Sequence, residues 1–157
     1  ARALIRDLAA DPALLVGAGT VPDAAAAEAC LAAGARFLVA PWVDPALAAP
    51  CRAAGALLML GALTPTEVRA ALAGGADVVK VFPASSAGGP GHVKALASVF
   101  PGVAFCPTGG VSPGNVAAYL EAGAAFVGMG GALVDEARVA AGDRAAILAA
   151  AAAIRQG

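Results

Sequence analysis

Charge is scarce in this chain. Only 13% of its 157 residues are Asp, Glu, Lys or Arg, and they stand singly, ten basic and eleven acidic, for a net charge of −1. No basic cluster offers a nucleic-acid footprint, so a nucleic-acid partner is not expected. Disorder is excluded from the other side, because 60% of the residues are apolar. Long apolar runs are nevertheless lacking: Gly, Pro or a charge interrupts each before it could span a membrane, and no membrane partner is expected. The opening "ARALIRDLAADPALLVGAG" reads as a helix followed by a strand and has none of the three regions of a signal peptide. Cys30, Cys51 and Cys106 are an odd, widely spaced set. They argue against a disulfide framework or a zinc knuckle and fit reduced, packing thiols in the cytoplasm. His92 is the single histidine, too few for a histidine-based metal site. Neither a metal nor a cofactor is expected.

What is present is a repeat. An alanine-rich helix, a turn with Gly and a short apolar run recur as "LAAGARFLVAP", "RAAGALLMLG", "LAGGADVVKVFP" and "EAGAAFVGMG", with a looser copy in "SVFPGVAFCPTGG". Gly34, Gly55, Gly75 and Gly123 fall where a helix closes in the left-handed conformation. The apolar runs do not alternate with polar residues, as expected of parallel strands covered on both faces. Helix starts agree: Asp44 before Pro45, Thr64 with Glu67 as a capping box, and Ser112 before Pro113. We expect six strands near 14–18, 37–40, 57–61, 78–82, 103–106 and 125–129, each followed by a helix. The length suits one domain over 1–157. A doubly wound sheet fits this alternation too, but the polar and Gly-rich stretches follow several strands instead of one switch point. That favours an α/β fold of the (β/α)₈ TIM-barrel type, with six βα units present and two strands short of closure.

In such a barrel the chemistry gathers at the C-terminal strand ends. Those ends read "GAGT", "AP", "GALT", "KVFPASS", "CPTGG" and "GMGG". Their polar side chains are Thr20, Thr64, Lys80, Ser85, Ser86 and Thr108. Lys80 interrupts an otherwise apolar strand. Either its head snorkels to water from a packed stem, or it is an amine whose proton burial has loosened, able to attack a ketone. The only other lysine, Lys94, falls on the following helix. Gly109 and Gly110 lead toward a helix, and "GMGGAL" repeats the pattern after the last strand. These glycines either make tight turns or present backbone N–H groups to an anion; their occurrence on the final two strands favours the anion. "SSAGGPG" at 85–91 reads as a mobile loop, and Trp42 either packs or lines the pocket mouth. No carboxylate is left at a strand's C-terminal end: Asp44 and Glu67 are helix caps, Asp77 precedes its strand, and the others lie in helices, turns or a tail.

Taken in order, "VGAGTV", "LVAP", "GALTPTEV", "VKVFPAS", "FCPTGGVSPGNV" and "YLEAGAAFVGMGGALV" resemble the 2-keto-3-deoxy-6-phosphogluconate aldolase family, which includes 4-hydroxy-2-oxoglutarate aldolases. The resemblance spans essentially the whole chain; "K-x-F-P-A" with "P-T-G-G" downstream is its specific part. It implies a class I aldolase on a (β/α)₈ barrel, usually a homotrimer, cleaving a 2-keto-3-deoxy sugar acid phosphate to pyruvate and glyceraldehyde 3-phosphate. Lys80 would be the Schiff-base lysine. Thr20 and Thr108 would contact the pyruvyl carboxylate or substrate hydroxyls, Pro41 would join them in binding the substrate, and Gly109, Gly110, Gly130 and Gly131 would hold the phosphate.

Two departures from the family follow. Its members carry about fifty further residues before the opening helix, making two strands, the second with the glutamate of an "E-x-T-x-R" stretch that shuttles the proton. This chain has no such stretch, and we expect it to be an N-terminally shortened aldolase that binds pyruvate as an imine but turns over slowly. Many relatives also place Ser where Gly131 stands, leaving only backbone donors there. The alternatives are a 2-keto-3-deoxy-6-phosphogalactonate or 4-hydroxy-2-oxoglutarate aldolase, and a non-catalytic phosphosugar-binding barrel fragment.

Overall fold

A computed structural model describes residues 2–134 and 136–154. Helices and strands alternate through most of the chain: α1 (Arg2–Ala9), β1 (Gly17–Gly19), α2 (Ala24–Ala32), β2 (Phe37–Val39), a 3₁₀ turn (Pro45–Leu47) running into α3 (Ala48–Ala54), β3 (Leu57–Ala62), α4 (Pro65–Ala73), β4 (Val78–Val81), α5 (Gly89–Val99), β5 (Phe105–Pro107), α6 (Val116–Glu121), α7 (Glu136–Ala140) and α8 (Arg144–Ile154). The strands form a five-stranded parallel sheet in the order β1-β2-β3-β4-β5. Sequential order follows from βα crossovers, each helix returning the chain to start the next strand beside the last.

The chain divides into two compact units, one ending at Lys80 and the other starting at Val81. In the first, Gly17 pairs with Phe37 and Phe37 with Leu57, all in parallel. Ala18, Leu38, Leu58 and Leu60 are buried along these strands, as fits a sheet covered on both faces. β4 is set against β3 by two bonds at Asp77, whose N–H donates to Leu58 O at 2.9 Å and whose carboxylate accepts from Leu58 N at 2.8 Å. Local signals placed the helices. Asp44 accepts from Ala46 N at 3.0 Å. Thr64 and Glu67 form the full capping box ahead of Pro65. At Gly55 the C-cap of α3 has φ 62°, a left-handed geometry that costs a residue with a Cβ about 1–2 kcal/mol.

In the second unit, Thr108 N donates to Val81 O at 2.9 Å and Ala84 N to Thr108 O at 2.8 Å, so the chain beyond β4 runs beside β5. α5 packs on β5 and α6, with Phe105, Val93, Leu96 and Tyr119 in the core. Three expectations change here. Residues 125–129 make only a parallel bridge, Thr108 with Gly128, and not a sixth strand. Two ladder bonds remain, Ala125 N to Phe105 O at 3.0 Å and Gly128 N to Pro107 O at 2.9 Å. A segment bonded along one side, with Gly at its pairing position, has little to hold it extended. The helix expected from Ser112 starts at Val116, because residues 113–115 form a turn closed by Asn115. Gly89–Gly91, expected in a loop, are the first turn of α5, where Pro90 fits because N–H groups need no helical partner.

Candidate active site

At the C-terminal edge of the first unit's strands, Thr20 follows β1, Pro41 follows β2 through Ala40, and Lys80 lies within β4. Lys80 is half-buried between Val79 and Val81, both 0% exposed, so its stem is packed in an apolar strand. Lys94 is exposed on α5, as expected. Thr20 is the one non-glycine described with a positive φ, 56°, an outlier for a β-branched residue. The next residue holds it there: Val21 is buried and its N–H donates to Val39 O at 3.2 Å. Thr20 also lines a cavity of about 700 Å³ between β1, α1 and α2. Beside Pro41, Gly61 is required for space, since a Cβ there would strike the Pro41 carbonyl. Trp42 is 44% exposed. Thr64 is not a free hydroxyl: it donates to Glu67 Oε2 at 2.9 Å and accepts from Glu67 N at 3.3 Å.

The second unit gathers the remaining candidates. Thr108, Gly109, Gly110, Gly130 and Gly131 line one cavity of about 440 Å³, with Phe82, Val111, Ser112, Gly128 and Ala132. Gly109 and Gly110 have φ of 92° and 75°. A Cβ on Gly109 would press on the Phe82 ring at 3.2 Å, and one on Gly110 would run into the Ser85 side chain. Gly128 leaves room for the Thr108 side chain, whose hydroxyl donates to Cys106 O at 3.3 Å and lies 3.7 Å from Cys106 Sγ. Among the described residues, no protein acceptor takes the N–H of Gly109, Gly110 or Val111. These donors belong to a turn, not to the end of a helix. The expectation that these glycines lead directly into a helix is therefore replaced by one of unclaimed amides in a turn.

Glu67, Cys51 and Asp23 are already engaged. Hydrogen bonds from the Thr64 and Leu63 amides and the Thr64 hydroxyl hold the Glu67 carboxyl below its usual value. Burial, helped by the Asp77 carboxylate, pushes the Cys51 thiol up, so it stays protonated and unreactive. Asp23 accepts from Ala26 N at 2.7 Å as the N-cap of α2. Among the described residues every carboxylate lies on a helix, a cap, a turn or, for Asp77, the start of β4. Two residues went unnoticed in the sequence. Phe82 is 40% exposed and walls the glycine cavity. Asn115 braces the turn beneath it, for which Asn three residues after Ser112 and directly before a helix was the available signal.

A family model described as KDPG and KHG aldolase matches residues 1–150. The chain belongs to this aldolase family. It is 39% identical over 141 residues to the 2-dehydro-3-deoxy-phosphogluconate aldolase of Treponema pallidum (strain Nichols), covering 90% of this chain and 66% of that protein. It is 38% identical over 117 residues to the 2-dehydro-3-deoxy-6-phosphogalactonate aldolase of Escherichia coli (strain K12), covering 74% of this chain and 57% of that one. Among solved structures, KDPG aldolase from Legionella pneumophila, with pyruvate captured as a covalent carbinolamine, superposes with a TM-score of 0.83 at 31% identity, covering 98% of this chain and 74% of that one. This aldolase-family chain spans between about half and two thirds of the length of the curated relatives it matches.

Proposed function

We propose that the protein is a class I aldolase that cleaves 2-keto-3-deoxy-6-phosphogluconate to pyruvate and glyceraldehyde 3-phosphate through an imine on Lys80. The observation that carries this reading is the family membership of a chain with only two lysines, of which Lys94 is exposed on a helix and Lys80 sits in an apolar strand. In the proposed reaction Lys80 Nζ adds to the C2 ketone, and loss of water gives a protonated imine. That cation withdraws electrons as the C4 hydroxyl loses its proton, so the C3–C4 bond breaks to an aldehyde and an enamine. Protonation at C3 and hydrolysis then release pyruvate and restore the amine. Thr20 and Thr108 are the proposed contacts for the pyruvyl carboxylate or the substrate hydroxyls, with Pro41 a further substrate-binding residue. Gly109, Gly110, Gly130 and Gly131 are proposed for the phosphate, supported by their common cavity and its unclaimed amides.

We further propose that the chain is one domain of a (β/α)₈ barrel, with five strands and, at 125–129, a sixth unit reduced to a single bridge, acting in the cytoplasm and assembling as a homotrimer. The parallel strand order and the likeness to the aldolase structures support the barrel. Among the described residues no helix is long and apolar enough to cross a membrane. A related reading within the same chemistry, a phosphogalactonate aldolase, is favoured by the name of the Escherichia coli relative. The test is reduction with borohydride in the presence of pyruvate, followed by peptide mass spectrometry. An adduct on Lys80, absent from Lys80→Gln, is expected even where turnover is slow. No adduct on Lys80 would leave a phosphosugar-binding protein without catalysis.

A further inference from the structure

We propose that Asn115 is a positioning residue for the glycine-lined cavity, fixing the turn so that the N–H groups of Gly109, Gly110 and Val111 stay free for a phosphate. The inference rests on reading that cavity as a phosphate site. Asn115 stands directly before α6 and spans the turn in both directions. Its Oδ1 accepts from Ser112 N at 2.8 Å, while its Nδ2 donates to Gly110 O at 3.0 Å. The backbone adds to the brace, with Asn115 N and Val116 N both donating to Ser112 O at 3.1 Å.

The two side-chain bonds do different things. Gly110 is the one cavity residue whose carbonyl Asn115 holds, and a peptide oxygen turned toward an anion would repel it. A donor on that oxygen fixes its direction and offsets its partial charge. The bond from Ser112 N, at the far side of the turn, sets the chain's path after Val111, a buried residue that anchors the same segment. Accepting from one group while donating to another is what a carboxamide provides and a carboxylate does not. Gly109 and Gly110 allow the left-handed turn, but they do not choose among the conformations it could take. Asn115 makes that choice.

The test is a titration of the ¹⁵N-labelled full chain with inorganic phosphate, following the amide signals of Gly109, Gly110 and Val111. Saturable shifts are expected in the parent. Asn115→Ala should weaken phosphate about five- to tenfold, the loss of two turn bonds. Asn115→Asp, which keeps the acceptor for Ser112 N but brings a negative charge, should weaken it further. A purely structural role would lower the melting temperature and leave the folded protein's phosphate affinity unmoved. Affinity within twofold of the parent in folded Asn115→Ala overturns the proposal and leaves the phosphate reading standing. Should that variant not fold, unchanged affinity in Asn115→Asp overturns it equally. No shift in the parent overturns both readings.

Discussion

Replacing Gly110 by Ala should cost far more than replacing Gly131 by Ala, although both line the same cavity. Gly110 has φ 75°, and its added Cβ would meet both the Oγ and the Cβ of Ser85. Gly131 has no positive φ, and nothing lies within 4 Å of an added Cβ. A left-handed residue with a Cβ costs about 1–2 kcal/mol. Turning Ser85 would clear its Oγ but not its Cβ, so the backbone must also give, and this overpacking adds about 1–3 kcal/mol. Ala also restricts the unfolded chain, returning about 0.4–1 kcal/mol. The net loss for Gly110→Ala is therefore about 1–4.5 kcal/mol, each kcal/mol lowering the melting temperature by about 2–4 °C for a chain of this size. Gly131→Ala should stay within about 0.5 kcal/mol of the parent. Urea denaturation measures both. Adding Ser85→Gly to Gly110→Ala should recover about 1–3 kcal/mol, a coupling that isolates the steric part from the backbone part. A Gly110→Ala loss below about 0.5 kcal/mol, or no coupling to Ser85, would refute the reasoning.

Further predictions concern the capping box, the strained threonine and the missing hydroxyl. Thr64→Ala should lose about 1 kcal/mol in chemical denaturation through the lost cap of α4. Because the folded Glu67 carboxyl is held below its unfolded value, its stabilisation is present above the unfolded value and lost as pH falls through the folded one. Glu67→Gln should accordingly flatten the acid limb of stability against pH, and an unchanged limb would contradict it. Thr20→Gly relieves a positive φ and should leave stability equal to or up to about 1 kcal/mol above the parent, whereas a clear loss would show that Thr20 is not strained. Gly131→Ser adds a hydroxyl in open space and should tighten phosphate binding by about threefold to tenfold at unchanged stability, read by the same amide titration.

What the sequence made legible was local. The capping box at Thr64 and Glu67, the cap at Asp44 and the left-handed glycines at 34, 55, 75 and 123 each depend on a few neighbours, and each appears where expected. The first five strands follow from unalternated apolar runs bounded by those caps, shifted by a few residues at β1 and β5. The sixth does not, since an apolar run specifies a strand only when partners claim its backbone, and 125–129 is claimed along one side. Gly89–Gly91 misled for the opposite reason. Glycine and proline break helices in the interior, but within a first turn the rule loses its force.

The candidate site divides in the same way. Residue types at strand ends can be read directly, and the five candidates that share the glycine cavity were found so. Which amides remain available is a different kind of fact, because it is decided by which bonds the rest of the turn consumes. Ser112 shows the difference: from sequence it is a helix cap whose neighbours point at an anion, yet its N–H is spent on Asn115 and its carbonyl on two amides of the same turn. Thr20 is the parallel case in the first unit. Nothing in "GAGTV" announces a left-handed threonine; that geometry exists because Val21 must be both buried and bonded to Val39, a partner on the next strand beyond the whole of α2. An anion site made of backbone donors is therefore specified by the residues that occupy the competing acceptors and donors, and those residues need not touch the anion at all.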